Sequence, residues 1–208
     1  MRPTLFLGAA LLTGCATQSP STTPVPARIH GIEQAGAADS VRNSFTPADV
    51  EFMTGMIGHH AQAIEMSRLA PTNGASGQIQ ILAGRIINAQ QDEIAKMQLW
   101  LRDRGQPVPE VGGAHGHHHA LMPGMLTEAQ MAELRAARGN EFDKTFLRLM
   151  IQHHEGAIQM VDRLFAADGA GQEDVIFKLA SDVNVDQITE VDRMRRLLFE
   201  ITINAAGP

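Results

Sequence analysis

Tyrosine is absent from this 208-residue chain, tryptophan occurs once, and aromatic residues make up only 4% of the total. A core of that composition rests on Ala, Leu, Ile and Met, which suit packed helices better than the β-branched and aromatic surfaces of a sandwich. Cysteine also occurs once, at Cys15, so no internal disulfide can form and paired-cysteine zinc motifs are excluded. Positive charge is in deficit. The formal net charge of −6 leaves no basic footprint for a phosphate backbone and argues against nucleic acid as a partner. HExxH and a phosphate-cradling glycine loop are missing too.

What the chain does have begins at its N-terminus. "MRPTLFLGAALLTGC" combines a positive residue, Arg2, an apolar run from Leu5 to Leu12 and small residues before Cys15. The run is too short to stay in a bilayer as a spanning helix. "LTGC" resembles a bacterial lipobox, which implies removal of residues 1–14 and a lipid on Cys15; the alternative is a plain signal peptide cut elsewhere. The expectation is an exported, cell-envelope protein that meets the membrane only through its lipid anchor. Ala16 after the cysteine favours, by analogy with Gram-negative lipoproteins, the outer membrane facing the periplasm. Residues 15–44 are rich in Pro, Ser, Thr, Gly and Ala without hydrophobic periodicity and read as a flexible tether, with His30 solvated within it.

Helical signals then start. Thr46 reads as an N-cap with Pro47 at the first helical position and Asp49 in the first turn, and this helix extends to about Ala70, before "PTNG". A second is expected from Gln78 to Arg104 on the spacing of Ile79, Leu82, Ile86, Ile94, Met97 and Leu101. After a turn-rich crossover, "LTEAQMAELRAARG" reads as a short helix capped by Thr127 with Gln130 three residues on. Long helices over about Asn140–Ala167 and Gln172–Ile203 complete the chain, and no strand is expected.

The chain also repeats itself. "MIGHHAQAIEM" begins at Met56 and "MIQHHEGAIQM" at Met150, 94 positions later, and Asp49, Phe52, Ala63 and Ile64 match Asp143, Phe146, Ala157 and Ile158 at the same offset. The following helices match at an offset of 97, pairing Gln90, Glu93, Ile94 and Met97 with Gln187, Glu190, Val191 and Met194. Each half is a helical hairpin on one plan. The fold expected is an all-α four-helix bundle over residues 45–204, made of two duplicated hairpins, about 45–104 and 139–203, joined by a long crossover, about 105–138, that contains one short helix.

Histidine and methionine carry the chemistry. Residues three, four and seven apart share a helix face, so Met56, His59 and Met66 line one stripe beside His60, and Met150, His153 and Met160 line another beside His154. If these stripes face inward, together with Glu93, Met97, Glu190 and Met194 as further candidate donors, the bundle holds a metal-site inventory. The competing reading is packing, since methionine at helical spacing commonly fills cores and a buried histidine commonly just bonds a neighbour. Duplication of the whole set favours the metal. Di-iron bundles use Glu-x-x-His motifs, whereas here Met56-x-x-His59 and Met150-x-x-His153 put a soft thioether in the carboxylate's place, which favours copper, especially Cu(I), over iron, manganese or magnesium, with zinc or iron kept as alternatives. The crossover adds His115, His117, His118, His119, Met122 and Met125, an auxiliary tract suited to weak capture of divalent ions or else a solvated loop.

The two "HHxxAIxM"-type motifs, "MPGMLT" and "EFDKTFLRLMIQHHEGAIQM" resemble the bacterial family called domain of unknown function 305, over about Phe45 to Ile203. The resemblance implies a ferritin-like helical fold, frequent export and, from some members, periplasmic copper binding and resistance. By that likeness the copper ligands are Met56, His59, His60, Met66, Met150, His153, His154 and Met160. Three functions remain in play at this point: envelope copper sequestration or handling, a ferritin-like oxidase or peroxide-consuming metalloenzyme, and an interaction module with structural histidines.

Overall fold

A computed structural model describes residues 44–110 and 122–206. Five helices follow in order: α1 (Pro47–Arg68), α2 (Gly77–Asp103), α3 (Glu128–Ala136), α4 (Gly139–Ala166) and α5 (Asp174–Ala206). Each begins and ends within a few residues of its sequence expectation, and no strand occurs among the described residues. The local signals explain this agreement. Thr46 and Asp49 form a reciprocal capping box at α1, as Thr127 and Gln130 do at α3, so each uses one side chain to satisfy an orphan N–H of the other.

The helices assemble as a four-helix bundle. α2 packs on α1, α5 packs on α4, and α1 and α4 meet each other, with the short α3 of the crossover laid on α4. The repeat motifs thus lie on the two central helices. The hairpins are latched to one another by the duplicated aspartates. Asp49 on α1 accepts from the Gly171 backbone N–H at 2.7 Å, in the loop between α4 and α5, and Asp143 on α4 accepts from the Ser76 N–H at 3.1 Å, at the start of α2. Both carboxylates are buried. Each hairpin therefore reaches into the loop of the other, which runs α1 and α4 antiparallel and gives the bundle its approximate twofold.

The crossover is fixed just as specifically. Asn73 donates to the carbonyls of Leu134, Arg135 and Ala137, closing the far end of α3 against the first loop. Gln62 brackets Leu126, accepting from its N–H at 2.8 Å and donating to its carbonyl at 3.1 Å. Gly124 has φ +75°, and its backbone lies so close to α4 that a Cβ on Gly156 would meet Gly124 Cα at 2.5 Å and overlap the Pro123 carbonyl. Gly156 stands where the first copy of the repeat has Gln62. Both positions break the repeat in order to seat the crossover.

Candidate metal centre

The tandem histidines are fully buried: His59, His60, His153 and His154 each show 0% exposure. An imidazole without water needs partners, and the four divide into an outer and an inner pair. In the outer pair His60 Nε2 lies 2.6 Å from Glu93 Oε2, and His154 Nε2 lies 2.7 Å from Glu190 Oε2. A carboxylate only accepts, so Nε2 carries the proton in both rings and Nδ1 presents the lone pair; neither Nδ1 has a hydrogen-bond partner among the described residues. This is the carboxylate–histidine arrangement by which a second shell orients a metal ligand. It serves equally to hold a ring in a core.

The inner pair is different. The rings of His59 and His153 approach to 3.8 Å between centroids, tilted by 41°, where α1 crosses α4. His59 Nε2 lies 3.0 Å from the Pro123 carbonyl and therefore donates to it, so the crossover covers this ring. Neither nitrogen of His153 makes a well-formed hydrogen bond among the described residues. Burial holds the His153 imidazole well below its usual range, reinforced by the neighbouring His59, His154 and His60, with only the His59 backbone acting weakly the other way. His153 is consequently neutral at neutral pH, the form that ligates metal.

The methionines split into two sets instead of converging. Met56, Met97 and Met160 belong to one core cluster, with Phe52 and Trp100; Met66, Met150 and Met194 belong to a second, with Phe142 and Phe146. Glu93 is buried and Glu190 half-buried, each held by its histidine. Among the described residues no three His, Cys, Asp or Glu side chains form a ready metal cluster. The described residues thus show a central imidazole pair and two separate groups of core methionines. Helix phase brings a residue to a face, whereas its height along the axis decides which neighbours it meets.

Cys15, His115, His117, His118 and His119 lie outside the described residues, as do the leader and most of the tether. Met122 and Met125 are half-buried in the seated part of the crossover. Sequence reasoning missed Gln62 and Gly156, which seat the crossover beside the inner histidine, and Asn73, which ties the far end of α3 to the first loop. The usable signal was the failure of the repeat at Gln62 and Gly156.

The chain matches the family described as Domain of unknown function (DUF305) over residues 49–198. It belongs to that family. A DUF305 fragment from Deinococcus radiodurans is 31% identical with a TM-score of 0.65, covering 75% of this chain and 98% of its own. A DUF305 protein from Streptomyces coelicolor, designated as secreted, is 28% identical with a TM-score of 0.63, covering 74% and 94%. CopM in its Cu(II)-bound form is 28% identical with a TM-score of 0.60, covering 73% and 96%, and it is also similar in Cu(I)- and Ag-bound forms. No curated protein matches the chain. The DUF305 bundle described here is therefore shared with proteins solved both with and without metal.

Proposed function

We propose that this protein binds copper in the cell envelope, sequestering it or handing it on through the histidines and methionines of the bundle. The observation that carries the reading is the inner pair: two imidazoles in contact at the centre, one of them neutral with both nitrogens lacking well-formed hydrogen bonds. Leaving such groups buried costs about 1–3 kcal/mol each, a cost that a bound cation offsets. Softness of the flanking thioethers selects Cu(I), which accepts few ligands, while imidazole also serves Cu(II). The likeness to copper-bound CopM supports the same reading. His60 and His154, oriented by Glu93 and Glu190, are assigned to the surrounding shell.

The test is metal analysis of the protein from copper-fed cells, with X-ray absorption to count nitrogen and sulfur neighbours. Copper with both donor types is expected. Changing both His59 and His153 to Asn should weaken Cu(I) and Cu(II) together; unaltered affinity for both would return the histidines to a packing role. We also propose export with a lipid on Cys15, in keeping with the secreted designation of the Streptomyces relative. Cys15→Ser should then release the protein from membranes or block its processing, and recovery of unlipidated parent from the soluble envelope fraction would contradict the anchor.

A further inference from the structure

One feature of α1 breaks both the repeat and the core. Gly55 occupies a helix interior, where glycine costs about 1 kcal/mol relative to alanine. Its counterpart 94 positions on is Leu149, which is fully buried. The room left by the missing side chain is taken by the ends of two methionines: a Cβ at Gly55 would meet Met122 Sδ at 3.2 Å and the Met160 methyl carbon Cε at 3.3 Å. Met122 comes from the crossover and Met160 from α4, so two methionines from distant parts of the chain converge over one Cα.

They converge in an open cavity of about 530 Å³ that also borders Phe52 and Leu164, with Thr54, Glu51 and Arg163 among its polar lining. Glu51 and Arg163 supply one charge of each sign, so these two side chains give the lining no net charge. Hard cations that need several oxygens gain little from thioethers, whereas Cu(I) and Ag(I) prefer them and tolerate low coordination numbers. Pro123, another lining residue, links the cavity to the inner histidine. Pro123, directly after Met122, lends its carbonyl to His59 at 3.0 Å. At the pseudosymmetric position the buried Leu149 supplies a side chain where α1 has none.

We propose that Met122 and Met160 form a surface thioether site for a soft monovalent cation, distinct from the central imidazole pair and positioned to load it. Loading rests on the copper reading above; the site itself does not. An ion taken up there exchanges ligands inward without changing oxidation state, and the contact between Pro123 and His59 couples the seated crossover to the imidazole that receives it.

The experiment uses Ag(I), which is redox-inert, on the full chain with His115, His117, His118 and His119 changed to Ser so that the histidine tract takes no ions. Methyl-labelled methionine reports each thioether separately by NMR. The Met122 and Met160 methyl resonances should shift together on titration. Met122→Leu should abolish the Met160 shift and weaken that site at least about tenfold, or about 1.4 kcal/mol, while Met131→Leu, a buried methionine of α3, leaves both unchanged. In a protein with His59 and His153 changed to Asn the two resonances should still shift although a central ion is lost. A Met160 shift that survives Met122→Leu overturns the site, as does Ag(I) binding that never moves the Met122 methyl. Persistence of the shifts in the Asn variant with no ion lost there would overturn the central reading alone.

Discussion

His153 sets the pH response at the scale of a single residue. Its folded value lies below the ordinary 6.5, so between the two the unfolded chain binds a proton that the folded chain does not. Stability therefore falls as pH drops through about 6.5 and levels off below the folded value. Denaturant titrations at pH 7.5 and 5.5 should show a loss on acidification that His153→Gln reduces; an equal slope in both proteins would mean that the buried imidazole is not the titrating group. The methionines make the second residue-scale prediction. Met56→Leu together with Met150→Leu should change stability by less than about 1.5 kcal/mol per site, because volume and apolarity are kept. Cu(I) competition titrations should nonetheless show sharply weakened binding. Affinity equal to the parent's would take these thioethers out of the site.

Between residue and whole molecule, the elements are held in register by a few polar contacts that involve buried aspartates and by one close backbone approach. Asp49 and Asp143 each satisfy an N–H in the opposite hairpin; Asp49→Ala should cost about 1–3 kcal/mol by leaving the buried Gly171 donor unpaired, and Asp143→Ala less, because Ser76 is exposed to water. The two contacts sit at opposite ends of the α1–α4 pair. Their effects should therefore add, within about 0.5 kcal/mol, in the double variant, and strong coupling would mean that the hairpins separate as one unit. Gly156→Ala tests the crossover. The added methyl overlaps the Pro123 carbonyl, and backbone on both sides has little freedom to yield. A loss of about 1–3 kcal/mol is expected, as for an overpacked core. Limited proteolysis should open the crossover while α1, α2, α4 and α5 stay protected. Unchanged cleavage would show that the contact between α4 and the crossover is not what seats it.

Across the whole molecule, negative charge accumulates where the outer helices face each other. Partial burial raises the Asp186 carboxyl, and Glu93, Glu190 and Asp182 add to the shift while Lys96 opposes it. Glu190 and Asp182 share α5 with Asp186, whereas Glu93 belongs to α2, so part of this repulsion acts within α5 and part between the two hairpins. A raised carboxyl destabilises the fold once ionised, and the penalty disappears on acidification towards the ordinary value of 3.8. Asp186→Asn should accordingly raise the melting temperature at neutral pH, with the gain shrinking at high salt and vanishing near pH 3.8. A gain that persists in acid would have another cause.

The sequence by itself determined the elements and their duplication. Caps at Thr46 and Thr127, apolar spacing along each long helix and the paired Met-x-x-His-His motifs are local signals, and neighbouring residues suffice to read them. It also placed the histidines on shared helix stripes, and the structure shows those stripes buried. What only the tertiary structure decided is which residues meet. His59 touches His153 while His60 turns to Glu93, although the two are adjacent in the chain, because consecutive residues on a helix point about 100° apart and different helices stand on each side. The methionines divide into two sets because α1 and α4 run antiparallel, so equal positions in the two motifs end up at opposite heights. The crossover's hold on His59, through Pro123 and the close approach of Gly156, depends on a long-range contact between segments that share no pattern, and no local reading of either segment contains it.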